Sequence, residues 1–126
     1  MNPIIPVAAG SALGGVARYA ASVMLASHST RFPVATLLIN VAGSFVLGVL
    51  MRGFGEAPAQ TLQFFLAVGF CGGFTTFSTF SLETARLIQA GAHGRAALYI
   101  TASVALSIAG VLLGLAAGRL LVRSAV

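Results

Sequence analysis

Charge is the scarcest commodity in this sequence. Of 126 residues only 7% are charged, seven arginines and two glutamates, with no lysine, aspartate or tryptophan. Soluble domains carry roughly 25% charged residues, so a polar shell cannot be built from this chain. A single cysteine, Cys71, excludes an intrachain disulfide, and with only His28 and His93 beside it no metal cluster can be assembled. Two carboxylates, Glu56 and Glu83, leave no carboxylate-rich active site, and no nucleophile–base pair points to an enzyme. The net charge of +5 comes from scattered arginines rather than from the basic stripe of a nucleic-acid binder. What is plentiful is apolar surface, 58% of residues, which excludes a disordered chain. The lipid bilayer is the solvent this composition suits.

A helix needs about 20 apolar residues to cross a bilayer core of roughly 30 Å. Four stretches qualify, over residues 4–26, 33–51, 61–85 and 96–118. They predict an all-α membrane protein, a single four-helix transmembrane domain over residues 1–126 with short connections at 27–32, 52–60 and 86–95. A cleaved leader is disfavoured, because no basic residue precedes the first apolar run. His28 and His93 fall in the expected connections, as does Glu56. Glycines recur every four residues at Gly10 and Gly14, at Gly69 and Gly73, and at Gly110, Gly114 and Gly118, a spacing that lets helix backbones approach closely in lipid. Orientation is balanced. Arg52, Arg119 and Arg123 fall on one side and Arg31, Arg86 and Arg95 on the other, so the positive-inside rule gives little bias. Either one weakly biased orientation or insertion both ways with antiparallel pairing fits that count.

The third span holds the most unusual segment, Gly69-Phe-Cys-Gly-Gly-Phe-Thr-Thr-Phe-Ser-Thr-Phe-Ser81. Two glycines followed by a polar run suit an interruption, and irregular backbone at membrane depth is tolerated only inside protein or beside a wet path. A break is therefore expected near residues 72–78, with carbonyls freed for a cation or a neighbouring chain. Phe77 and Phe80, three apart, share a face if helix resumes beyond it.

The run Gly72-Gly73-Phe-Thr-Thr-Phe-Ser-Thr-Phe-Ser81, with Glu83-Thr84, resembles the signature of the Fluc (CrcB) family of fluoride channels. Gly14-Gly15-Val-Ala-Arg18 is similar to its first-helix element, and Thr36-Leu-Leu-Ile-Asn40-Val-Ala-Gly43 to its second-helix asparagine motif. Tyr99, Ser103 and Ser107 are similar to its polar track. The likeness spans the whole chain in order.

The resemblance implies an antiparallel, dual-topology homodimer in the cell's inner (plasma) membrane, exporting fluoride ion passively through two pores. It implies a sodium ion at the dimer interface, held by the backbone carbonyls of Gly72 and Thr75. Phe77, Phe80 and Asn40 would line the fluoride pore, with Ser78, Thr79 and Glu83 hydrogen-bonded beside it. The chemistry is coherent. Aromatic edges are electropositive, Asn40 carries two N–H donors, and hydroxyls at Tyr99, Ser103 and Ser107 can turn to donate. Uncharged donors suit conduction, which needs sites weak enough to leave. Glu83, four residues from Thr79, is placed to accept its hydroxyl proton.

Simpler roles exist for the same residues. Asn40 can be interhelical glue, Glu83 can pair with Arg86, and Tyr99 can anchor at the interface. Arg18, deep in the first span, either faces an anion-attracting vestibule or pairs with a helix end. A different function, a small four-helix proton-coupled multidrug exporter, would need a membrane-embedded acid in the first helix, where this chain has Arg18.

Overall fold

Local chemistry sets where each helix starts and stops. The computed structural model describes residues 2–54 and 60–124, and every regular element among them is helical. Helix α1, Ile4–Met24, opens with the Asn2 side-chain oxygen accepting from the Ile4 amide at 3.0 Å. It ends in a short 3-10 turn, Ala26–His28. The Ser29 hydroxyl then donates to the Leu25 carbonyl at 3.2 Å and accepts from the Ala35 amide at 2.9 Å. One side chain thereby ties the end of α1 to the start of α2, Val34–Gly53. Pro33 immediately precedes α2, where a missing N–H costs nothing. Glu56 lies outside the described residues.

The third span is composite. Helix α3, Gln60–Gln63, runs into a π-helical stretch, Phe64–Cys71, and then into α4, Gly72–Phe74. Thr75, with ψ 157°, and Thr76, with φ −151°, are extended, and α5 follows over Phe77–Gln89. The connection to α6, His93–Ser124, is shorter than expected. Gly91 takes φ 70°; its amide donates to the Ile88 carbonyl at 2.9 Å and the Ala92 amide to that of Leu87 at 2.9 Å. This paired closure ends a helix within three residues. His93 is accordingly the first residue of a helix rather than part of a loop, and His28 sits in the 3-10 turn with Nδ1 3.2 Å from the Ser27 hydroxyl.

Four helical segments are long and apolar enough to cross a membrane: Ile4–Met24, Val34–Gly53, Gln60–Gln89 and His93–Leu121. They pack in pairs, α1 against the π-helical stretch and α4, and α2 against α6, with α5 also resting on α6. Glycine seams make both pairings possible. A Cβ on Gly10 would overlap the Phe65 carbonyl oxygen, and one on Gly14 that of Phe70. In the other pair, Gly48 meets the Val111 carbonyl and Gly114 that of Phe45. Large apolar side chains such as Ile5, Val16, Leu112 and Leu113 point outward, as lipid requires. The buried set, by contrast, includes Thr36, Thr76 and Ser103 beside Ile39, Phe80, Ala96 and Tyr99.

Backbone contact predicts a sharp difference between adjacent positions. Gly14→Ala must push Phe70 and Gly73 away and costs about 1–3 kcal/mol, whereas Gly15→Ala, with nothing within 4 Å of the added carbon, is neutral. Thermal melting of the two variants in detergent micelles checks the contrast.

Candidate functional site

The extended pair Thr75–Thr76 rearranges the hydrogen bonds of its neighbourhood. In an unbroken α-helix the Thr76 amide would donate to Gly72 and the Thr79 amide to Thr75. Here the Thr76 amide donates to Asn40 Oδ1 at 2.8 Å, while Asn40 Nδ2 donates back to the Thr76 carbonyl at 3.1 Å. The amide side chain thus pairs with both polar groups of one residue's backbone. The Thr79 amide donates to the Thr76 hydroxyl at 3.1 Å, making Thr76 the N-cap of α5. The Thr75 amide and hydroxyl both donate to the Cys71 carbonyl, at 3.0 and 2.9 Å. Arg18 Nε donates to the Gly73 carbonyl at 3.2 Å. The break withdraws the helical donors of the Gly72, Gly73, Phe74 and Thr75 carbonyls, and among these Gly73 is served by Arg18 instead.

Beside this turn lies a cavity of about 400 Å³ between α2, the third span and α6. Asn40, Gly72, Thr75, Phe77, Phe80, Ser103 and Ser107 all line it, and no lining residue is ionisable except Cys71. The Phe77 and Phe80 rings are 5.4 Å apart and tilted by 47°. Phe80 is buried, whereas Phe77 is 77% exposed on the open side. Ser103 is 7% exposed, and its hydroxyl is the buried side-chain oxygen left without a partner among the described residues. Other helical hydroxyls here bond back one turn: Ser22 to Arg18 at 2.9 Å, Ser81 to Phe77 at 2.9 Å and Thr84 to Phe80 at 2.8 Å. Ser103 does not, and its oxygen remains free to serve the cavity.

The remaining candidates lie elsewhere. Thr79 and Arg18 line a second, smaller cavity of about 180 Å³ with Thr36, Thr76 and Ser22. Arg18 thus pairs with the Gly73 carbonyl near the end of α4, and its side chain also borders this small cavity. Ser78 is exposed and lies 3.2 Å from the Thr76 hydroxyl. Glu83 does not take a proton from Thr79, whose hydroxyl instead accepts from Thr76 at 3.0 Å. Its carboxylate accepts from the Thr36 hydroxyl at 3.0 Å and from the Tyr99 hydroxyl at 2.6 Å. The reason is capping. Thr76 engages Thr79 at the start of α5, so Glu83, one turn on, is served by α2 and α6. Tyr99 is fully buried, held by this bond and by rings on either side, and does not line the main cavity.

The sequence pattern described as "CrcB-like protein, Camphor Resistance (CrcB)" matches residues 5–115. This chain belongs to the CrcB family. Among curated relatives, the CrcB protein is 50% identical to the "Fluoride-specific ion channel FluC" of Rhodospirillum centenum, across 100% of this chain and 99% of that one. A protein of the same name from Methylobacterium sp. is 49% identical over 81% of this chain and 84% of its own. One from Caulobacter vibrioides is 44% identical over 94% and 97%. With four spans of sufficient length, this CrcB chain is a multi-pass membrane protein.

Two residues that organise the candidate site were not singled out from the sequence, Thr36 and Thr76. A signal for Thr36 was present: with Asn40 and Ser44 it forms a polar stripe at i, i+4 and i+8 along an otherwise apolar span, so all three face one side. Both polar groups of the Thr76 backbone depend on Asn40. Asn40→Leu leaves a buried donor and acceptor unpaired and destabilises the fold by about 2 kcal/mol or more. Loss of thermal stability in micelles checks this.

Proposed function

We propose that this CrcB protein conducts fluoride passively out of the cytoplasm, as two copies paired antiparallel in the inner membrane with two pores per pair. The observation that carries the reading is the main cavity. It places two phenylalanine rings and the partnerless Ser103 hydroxyl at membrane depth, without arginine or carboxylate in its lining. A small anion that sheds water there meets ring edges, rotatable hydroxyls at Ser103 and Ser107, and the second N–H of Asn40. Sites of that kind hold an anion without trapping it. The name carried by the relatives, fluoride-specific ion channel, supports the identity of the ion.

A second copy is needed to complete the wall. Phe77, Gly72 and Ser78 lie on the open side, where an opposed chain would cover them. Three arginines toward each end of the spans favour neither orientation, which suits opposed insertion. The extended pair Thr75–Thr76 is read as the functional break of the third span. It fits a sodium ion between the copies, because the Gly72 and Thr75 carbonyls have lost their helical donors and Gly72 faces open space. When bound, the ion supplies fixed positive charge at the junction, with carbonyl oxygens in place of its water. Asn40 and Arg18 hold the backbone next to these two carbonyls, through the Thr76 and Gly73 carbonyls.

The multidrug-exporter reading is not favoured. Helix α1 brings Arg18 rather than an acid into the membrane, and both oxygens of Glu83 are engaged by hydroxyls.

Liposomes loaded with fluoride and chloride test the proposal. Purified protein is expected to release fluoride far faster than chloride, read by ion-selective electrodes; absent fluoride flux or equal chloride flux sinks it. Phe77→Ile and Phe80→Ile each reduce fluoride throughput by about tenfold or more, equivalent to ~1.4 kcal/mol on the barrier, with the dimer intact by size-exclusion chromatography.

A further inference from the structure

The α1–α2 connection and the last turns of α5 enclose a hollow of about 360 Å³, separate from both cavities described above. Ser29, Thr30, Arg31, Phe32, Glu83 and Arg86 line it. It sits at one end of the spans, where α1 has stopped and α2 has yet to start, so in a bilayer it falls among the headgroups. Tyr99 walls it off from the main cavity: its ring is fully buried, donates to Glu83 and stands edge-on to Phe32 at 81°.

Its cations have no protein partner. The Arg31 and Arg86 side chains are exposed and make no hydrogen bond or ion pair among the described residues, and neither does the Thr30 hydroxyl. Glu83 engages Thr36 and Tyr99 rather than Arg86. The backbone that carries Arg31 is held in place. Arg95 Nη1 donates to the Arg31 carbonyl at 3.0 Å, and Ser29 bonds the Leu25 carbonyl on one side and the Ala35 amide on the other. The same ends of α1 and α5 expose Met24 and Ile88, apolar surface next to the basic rim.

We propose that this hollow binds the phosphate headgroup of an anionic phospholipid, whose acyl chains lie along those exposed apolar side chains. Basic pockets between spans at the membrane surface suit such headgroups. Every basic side chain other than histidine in this sequence is arginine, and a guanidinium fork grips two phosphate oxygens at once where a lysine would present a point charge. Charge selects the lipid over the free ion. Arg31, Arg86 and Glu83 together leave one positive charge, which a phosphodiester neutralises, whereas inorganic phosphate at neutral pH brings more negative charge than the lining offsets. A choline headgroup would set its own cation against the arginines. Lipid binding here needs only that the protein spans a membrane and is independent of conduction.

Native mass spectrometry of the full chain, released from micelles holding equal phosphatidylglycerol and phosphatidylcholine, reads the preference. The parent is expected to retain phosphatidylglycerol. Arg31→Gln/Arg86→Gln weakens that retention by about tenfold or more, with melting in phosphatidylcholine micelles unchanged. Arg52→Gln/Arg119→Gln, which removes two exposed arginines at the other end of the spans, leaves it as in the parent. Arg31→Lys/Arg86→Lys keeps the charge without the fork and retains the lipid better than the Gln pair. Equal retention of both lipids by the parent, equal loss in the two Gln pairs, or a Lys pair no better than its Gln counterpart overturns the site. Displacement of the lipid by inorganic phosphate overturns the lipid as its occupant.

Discussion

The exchange of two hydrogen bonds between the Asn40 amide and the Thr76 backbone is the constraint on which the rest of the site hangs. A helix interrupted at membrane depth strands peptide groups in a medium with no water to satisfy them. Asn40 offers one donor and one acceptor side by side and so takes the place of a neighbouring peptide. Because it takes the Thr76 amide, the Gly72 carbonyl is left over. Because Thr76 is held extended, its hydroxyl is free to cap α5 and aim Phe77 and Phe80 at the cavity. Interruption, freed carbonyls and ring placement are one event seen from three sides.

Around that event the interior is organised oppositely to a soluble core. The apolar bulk faces outward, and threonine, serine, tyrosine and a glutamate collect inside. A half-buried carboxylate between helices is expensive unless its oxygens are supplied with donors. Two hydroxyls, one from α2 and one from α6, meet that need and draw α5 against both. Glu83 is therefore a joint as much as a charge.

The membrane character and the positions of the spans were legible because arginine and glutamate are so few that each one marks a boundary or an exception. Helix ends were less legible. The closure at Gly91 lets α5 and α6 run on almost to meet each other, and hydropathy alone does not register a backbone turn of three residues. The π-helical stretch Phe64–Cys71 carries no signature, since an apolar run reads alike at either pitch. Within the site, residue types were readable and partners were not. Glu83 was matched to Thr79 because one turn of helix is the only distance a sequence displays, yet the bonds it makes reach across 47 and 16 residues to Thr36 and Tyr99. Asn40 was read as a donor to an anion, and most of its hydrogen bonding goes to backbone instead.

Glycine seams carry an implication for motion. Where Gly10, Gly14, Gly48 and Gly114 seat directly on carbonyl oxygens of the facing helix, each pair of helices has a single register. Sliding either by one residue would put a side chain where main chain must pass. A transporter that rocks between inward- and outward-facing shapes needs helices that can slip or tilt past one another; helices keyed together backbone to backbone resist both. Such seams favour a bundle that keeps one shape over one that alternates between two.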